Sequence, residues 1–173
     1  QYASGGNLFG LGVDWKMLTP RLVTTRNVAT DETISSIGLL GYAKLILDPV
    51  TVKAEGVYGE NLADLMMLGG YAVSAADTAT GLESYAALKC LSVWAEVSTG
   101  KRVELALFAG YTKSLGAGEN LVGASYGRGT DIDDLLRVSP RVVWNVSKVR
   151  LAAECEYTAA GYGTPNSSNE GKV

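Results

Sequence analysis

The chain has 173 residues, of which 19% are charged and 21 are glycine, and its formal net charge at pH 7 is -3. This length fits one domain, or part of a larger one, and the charge excludes the basic surface on which nucleic-acid binding depends. The sequence contains no histidine, which removes histidine-based triads and imidazole metal sites from consideration. We therefore expect no catalytic residue, no metal, no cofactor and no nucleic-acid partner.

Charged and apolar residues alternate along seven segments of the chain. In the segment Arg102–Thr112, for example, every second residue from Val103 to Tyr111 is uncharged, while Arg102 and Glu104 fall on the other parity. Successive side chains of a strand point to opposite faces, so this period of two predicts strands with one apolar and one charged face. The predicted strands are Leu11–Met17, Ile37–Leu47, Val50–Tyr58, Leu91–Val97, Arg102–Thr112, Leu136–Trp144 and Val149–Tyr157.

The charges of these segments share one face, and Lys89, just before the fourth segment, is the exception. If the charged face lines water, the predicted pore-lining residues, together with Asp14, are Lys16, Lys44, Lys53, Glu55, Glu96, Arg102, Glu104, Arg137, Arg141, Arg150, Glu154 and Glu156. A lining that mixes both signs produces a transverse field and orients polar solutes, whereas a ring of one sign selects ions by charge.

Four arginines of this face lie on three consecutive predicted strands. Arg102, Arg137, Arg141 and Arg150 could form a basic ladder for anionic solutes. In the alternative reading, Glu96 and Glu156 neutralise two of the arginines, and the other two only keep the wall hydrated.

Strand length and aromatic placement separate a membrane barrel from a soluble sandwich, which shows the same alternation. The segments are longer than the ~5–6 residues typical of soluble strands and match the ~9–11 tilted residues that cross a bilayer. Aromatic residues lie on the uncharged face near the ends of the segments, which is typical of the aromatic girdle of a membrane barrel. The alternative is a row of aromatic residues that covers the end of a soluble core. The predicted girdle is Trp15, Tyr58, Tyr111, Trp144 and Tyr157.

Short turns and long connections alternate along the chain, as they do in outer-membrane barrels. The short turns are Asp48–Val50, Ser98–Gly100 and Asn145–Lys148, and the long connections are Thr19–Glu32, Gly59–Leu82, Ser114–Asp134 and the tail from Ala159. This alternation requires Asn61–Ala76 to belong to one loop, with Leu62–Leu68 as a short helix-like piece. The loop is apolar enough to fold into a barrel mouth as a constriction; otherwise it packs against neighbouring loops or a partner subunit.

Turn positions also predict which charged residues face each other across each hairpin. Centring the turns on Pro49–Val50, on the loop closed by Gly100, and on Val146–Ser147 gives three opposite-charge pairs on the charged face. The predicted pairs are Lys44 with Glu55, Glu96 with Arg102, and Arg137 with Glu156.

Four stretches, Val52–Leu62, Ser92–Gly100, Phe108–Lys113 and Arg137–Val143, carry a resemblance to a known family. They resemble the DcaP-like porins, outer-membrane proteins of Gram-negative bacteria in the general trimeric-porin superfamily. The likeness covers nearly the whole chain, which looks like the C-terminal half of such a barrel. It implies a homotrimer of barrels with about 16–18 strands that passes small polar or anionic solutes.

The strand count predicts that the chain is a portion of a longer barrel. Single-chain bacterial barrels close with an even number of strands, whereas seven are predicted here. The polar segment Thr164–Val173 reads as a loop before another strand, and the terminal aromatic residue of the resembled family is absent, since Val173 stands last. We expect residues 1–173 to form a single β-barrel domain within such a longer chain.

Three functions fit these patterns. The first is a bacterial outer-membrane porin, surrounded by lipid, that passes small hydrophilic solutes through a water-filled channel without catalysis. The second is a non-conducting structural or adhesive barrel whose long outer loops bind a partner. The third is a soluble β-barrel that binds an apolar ligand, which requires the apolar face to point inward.

Overall fold

The structure, a computed structural model, describes residues 1–163, so the predicted terminal loop Thr164–Val173 lies outside the described residues. The fold is all-β and antiparallel, as predicted, with one turn of 3-10 helix at Leu62–Leu65. No helix in residues 1–163 is long and apolar enough to cross a membrane. The strands are β1 Tyr2–Ser4, β2 Asn7–Leu18, β3 Ile34–Leu47, β4 Val50–Glu60, β5 Gly69–Ala76, β6 Glu83–Thr99, β7 Val103–Gly116, β8 Ser125–Arg128, β9 Ile132–Val146, β10 Val149–Glu154 and β11 Tyr157–Tyr162.

The strands form one curved path of neighbours with a short branch. The main sheet runs in the order β1-β2-β3-β4-β6-β7-β9-β10, and β11 continues the pairing of β10 along β9. The branch consists of β5, which lies between the first half of β6 and β8. Over the described residues the sheet is not closed. Long connections lie at one end of the main sheet, the long-loop end, and tight turns lie at the other, the short-turn end.

Eleven strands are present where the sequence predicts seven. Six predicted segments each coincide with one strand of the main sheet, and the seventh is divided between β10 and β11. The strands β1, β5 and β8 have no predicted counterpart. Arg102 lies in the connection before β7 rather than within the strand, and β11 runs to Tyr162, beyond the predicted start of the tail at Ala159.

The last predicted strand is divided in two opposite Pro140. The backbone N–H of Cys155 donates to the carbonyl of Pro140 at 3.1 Å, but proline has no N–H to return the second bond of this pair. The ladder is therefore interrupted at Cys155 and Glu156, between β10 and β11.

The predicted charge pairings across the hairpins are wrong in register. The β3–β4 turn is Asp48–Pro49, so Lys44 faces Lys53 and Glu55 faces Tyr42. Glu96 faces Phe108, and Arg137 faces Thr158. Every shift is an even number of residues, which moves a side chain along its strand but leaves it on the predicted face.

The predicted loop Asn61–Ala76 is partly a strand. Its helix-like piece is the 3-10 turn Leu62–Leu65, in agreement with the prediction, but Gly69–Ala76 is β5 and pairs with β6 and β8. Two clusters of buried apolar residues accompany this segment. They are Leu62, Leu68 and Cys90 in one, and Ala72, Ala86, Leu88 and Ala117 in the other.

Candidate functional site

The apolar face of the main sheet is uncovered. Leu105, Val142 and Leu151 retain 56%, 41% and 54% of their accessible surface, and they lie side by side on β7, β9 and β10. Water-exposed apolar patches of a monomer are normally no more than a few hundred Å². A face that is uncovered and apolar across every strand of the main sheet is thus unusual for a monomer in water.

Aromatic residues cross this face along an oblique line. A row of paired residues runs from Leu11 through Gly56 and Tyr111 to Ala159. Tyr111 lies in this row. Towards the long-loop end, Trp15 lies four residues from the row and Tyr58 lies two residues from it. Tyr157 lies two residues from the row in the opposite direction, towards the short-turn end.

The slope of this line gives a strand tilt. Trp15, Tyr58, Tyr111 and Tyr157 are separated by two strands each, so the line shifts by one residue per strand. With a rise of ~3.3 Å per residue and ~4.8 Å between strands, the line is inclined by about 35° to the row. These aromatic residues therefore lie at one common height when the strands are tilted by about 35° from the barrel axis. This angle is within the range of strand tilts in membrane barrels.

The short-turn end follows the same slope. Tyr58, Tyr111 and Tyr157 each lie eight residues after the first residue of their strands, counted from Val50, Val103 and Val149. Eight residues at ~3.3 Å each, tilted by about 35°, span about 22 Å. The apolar band of a membrane barrel is about 25 Å tall. Trp144 lies at the short-turn border of this span of about 22 Å, where it pairs with Val103 and Leu151.

No charged side chain lies on the apolar face between the two borders in the described part of the main sheet. Five charged residues share the parity of this face, and all lie past the aromatic line at the long-loop end. They are Glu60, Glu83, Lys89, Lys113 and Asp134. Lys89, the exception to the sequence pattern, forms an ion pair with Glu60 at 3.5 Å there. Lys89 departs from the alternation because it lies beyond the aromatic line, outside the charge-free part of the apolar face.

The opposite face carries a network of ion pairs centred on Glu96. One Glu96 carboxylate oxygen lies 2.8 Å from Lys53 Nζ and the other lies 2.8 Å from an Arg141 guanidinium nitrogen. Glu96 is only 8% exposed, and β7 passes between its strand and that of Arg141. This carboxylate therefore links three strands of the charged face.

The other predicted pore-lining residues are also largely paired. Arg137 lies 3.4 Å from Glu156 and Arg150 lies 3.1 Å from Glu104. Glu154 accepts a hydrogen bond from Ser139. Three arginines of the predicted basic ladder, Arg137, Arg141 and Arg150, thus have glutamate partners. Glu96 and Glu156 each pair with one arginine of the ladder, as in the alternative reading, but Glu96 pairs with Arg141 and not with Arg102.

Two basic residues of the predicted set stand apart from these pairs. Among residues 1–163, Lys44 and Arg102 form no ion pair, and Lys44 lies directly opposite Lys53. The unpaired positive charges of this face therefore lie on β3 and in the connection before β7, and Arg102 is the one arginine of the predicted ladder among them.

The 3-10 turn lies on the charged face at the long-loop end. Leu62 is fully buried against Gly38 and Gly59. A Cβ atom at Gly38 would lie 3.1 Å from a Leu62 methyl carbon and 3.5 Å from the Asp14 Cβ, which marks this side as the charged one. A side chain at either glycine would displace Leu62, so both positions must stay small.

An ion pair fixes the far side of the same turn. Lys16 contacts Asp64 of the turn and lies 3.7 Å from Asp14. The hydrogen bond from Lys16 holds the pKa of Asp64 below its ordinary value. Asp64 therefore stays ionised at neutral pH, and this attachment is lost only as the pH falls below the range in which aspartate normally titrates.

Three aromatic residues on the charged face are absent from the sequence-predicted site. Tyr42, Trp94 and Phe108 have the parity of the charged residues, so the alternation already placed them there. The predicted site consists of the charges of this face and the aromatic residues of the opposite face, so aromatic residues of the charged face fall outside it.

This chain has no match among the protein-family models, the curated proteins or the solved structures. Its function must therefore be inferred from the two faces themselves.

Proposed function

We propose that this chain is the wall of a porin-like β-barrel in the outer membrane of a Gram-negative bacterium. Its apolar face contacts lipid, and its charged face lines a water-filled channel for passive diffusion of small hydrophilic solutes, including anions. The resemblance to DcaP-like porins suggests the homotrimer, which is proposed with it. No catalytic residue takes part.

The observation that carries this proposal is the charge-free band of about 22 Å, bordered by an aromatic line whose slope corresponds to a strand tilt of about 35°. A soluble barrel gives no reason for charges to avoid one face over a constant height. A soluble β-barrel that binds an apolar ligand requires its apolar face to point inward, with Leu105, Val142 and Leu151 covered. These three side chains are exposed.

The charged face supports diffusion of polar solutes rather than selection of one ion. Its glutamates and arginines are paired across strands, as for Glu96 with Lys53 and Arg141. Opposed charges orient dipolar solutes and leave only a small net field. Among the described residues of this face, Lys44 and Arg102 have no ion pair, and neither have Glu55 and Glu154. Unpaired charges of both signs therefore line the wall, which suits cations and anions alike.

The segment that contains the 3-10 turn supports a constriction at the long-loop end. Leu62 and Asp64 attach it to the charged face from both sides, so in a closed barrel it occupies part of the mouth. A mouth that this segment seals completely corresponds to the second function, the non-conducting barrel with partner-binding loops.

Channel recordings test the proposal. The full-length protein, refolded in detergent and added to a planar phospholipid bilayer, should produce stepwise current increments that grow with salt concentration. Detergent alone and heat-denatured protein are the controls. Protein that enters the bilayer but never produces current steps would favour the non-conducting barrel, and protein that dissolves without detergent would refute both.

A further inference from the structure

The charged face contains a transverse row of aromatic side chains. The backbone row runs from Gly10 through Tyr42, Glu55 and Trp94 to Gly110, and continues to Arg137. Phe108 lies two residues along β7 from Gly110, on the same face. Tyr42, Trp94 and Phe108 are half-buried, so parts of their surfaces face the solvent side.

Two of the rings lie over glycines. A Cβ atom at Gly10 would fall 2.2 Å from Tyr42 Cζ and 2.4 Å from its hydroxyl oxygen, and one at Gly110 would fall 3.1 Å from Phe108 Cζ. The rings therefore occupy the space that side chains at these positions would fill. They lie close to the backbone and do not project away from the sheet.

Trp94 joins the two ends of the row. Its ring centroid lies 5.7 Å from that of Phe108 with 31° between the planes. Its indole N–H donates to a Glu55 carboxylate oxygen at 3.2 Å. From β2 to β7 the row spans four strand spacings, or about 19 Å, with a carboxylate in the middle and Arg137 at one end.

We propose that this row is a binding platform for saccharides in the channel wall, an inference that rests on the proposed function because it needs the charged face to meet water. The C–H face of a pyranose ring packs against an aromatic ring, whose face carries negative charge density. The hydroxyl groups at the sugar edge hydrogen-bond to Glu55 and Arg137. With strands tilted by about 35–45°, the row climbs obliquely along the wall.

Charge pairing selects a neutral ligand over an aromatic anion. Arg137 has Glu156 as a partner, and Lys53 and Arg141 share Glu96. An anion stacked on the row would also lie close to the Glu55 carboxylate. Sugar hydroxyls, in contrast, can donate to Glu55 and accept from Arg137 without breaking either ion pair.

Direct binding tests this inference separately from conduction. Maltose is titrated into the full-length protein, refolded in an amine-oxide detergent that contains no sugar, and saturation-transfer NMR reports binding. Saturable binding in the millimolar range is expected, and benzoate should bind at least several-fold more weakly. Absence of maltose binding overturns the inference, as does tighter binding of benzoate.

Substitutions locate the binding surface. Trp94→Ala and Phe108→Ala should each weaken maltose binding by about tenfold, the loss expected for one aromatic stacking contact. Trp94→Phe, which keeps a ring, should restore most of the affinity. Ile46→Ala, on the same face but four residues along β3 from Tyr42, should leave it within about twofold. Equal binding by the wild type and both alanine variants would assign these rings a purely structural role in covering glycines.

Current recordings on the same preparations keep the two proposals distinguishable. A conducting channel that does not bind maltose refutes the saccharide platform and leaves the porin proposal standing. A protein that binds maltose through Trp94 without conducting supports the platform and refutes the channel.

Discussion

Glu96 contacts two cations from different strands while most of its surface is buried. Such a carboxylate must remain paired, because a buried charge without partners is strongly unfavourable. Its two neighbours depend on it equally, since Lys53 and Arg141 would otherwise face each other across β6 and β7. The charge balance of this part of the charged face is therefore concentrated at this residue.

Glu96→Gln should both destabilise the protein and change its ion selectivity. The substitution leaves Lys53 and Arg141 without their carboxylate, so we expect a loss of about 1–3 kcal/mol in unfolding free energy. The reversal potential under a salt gradient should shift towards anions. Urea titration in vesicles and bilayer recording measure the two effects.

Glu104→Gln provides the matched control for this change. Glu104 has one partner, Arg150, whose side chain is largely exposed, so the loss should stay below about 1 kcal/mol. Equal effects of the two substitutions would show that Glu96 has no special place in the network.

At the scale of elements, the 3-10 turn is attached to the sheet by the buried Leu62 side chain and by the partly exposed Lys16–Asp64 ion pair. Leu62 contributes most of this attachment, because an exposed ion pair is worth little. Leu62→Ala should detach it, because deletion of a fully buried leucine side chain typically costs about 2–5 kcal/mol. The expected results are faster chymotrypsin cleavage near Met66 and Met67, and a larger single-channel conductance as the mouth widens. Leu65→Ala makes the same substitution at an exposed position of the turn. Identical cleavage rates in the two variants would contradict this attachment.

The sequence predicts the faces of the strands better than their partners. Parity depends only on the chain itself, so Glu55 and Lys44 were assigned to the correct face. Register depends on whether the turn is Asp48–Pro49 or Pro49–Val50, and both choices suit a proline turn. Because the two choices differ by an even shift, the error changes the neighbours and spares the face.

The strand β5 could not be found from alternation. Gly69–Ala76 contains no charged residue, so neither face is marked by sequence. Its partners, the first half of β6 and the short β8, come from distant parts of the chain. Such non-local pairing leaves little trace in a local pattern. The Trp94–Phe108 contact differs from the prediction for another reason, because it lies across the β6–β7 hairpin, whose register is six residues from the predicted one.

At the scale of the whole molecule, the borders of the apolar face on neighbouring strands are set by strand tilt. The start of β4, β7 and β10 and the tyrosines eight residues later shift together by one residue per strand. Two independent markers, turns and aromatics, thus define the same slab. Constant thickness is the property that a bilayer imposes on a membrane barrel, so this slab supports the proposed function.

Two arginine substitutions on one strand distinguish this slab from an ordinary exposed surface. Leu107 lies midway between Val103 and Tyr111 on β7, and Leu107 and Val103 are almost equally exposed. In a bilayer, Leu107→Arg should cost about 2–4 kcal/mol and Val103→Arg no more than about 1, because the penalty is greatest at the midplane. In water the two changes should have equal, small effects. Urea unfolding of both variants in phospholipid vesicles measures the difference, and equal losses in vesicles would mean that the apolar face does not lie in lipid.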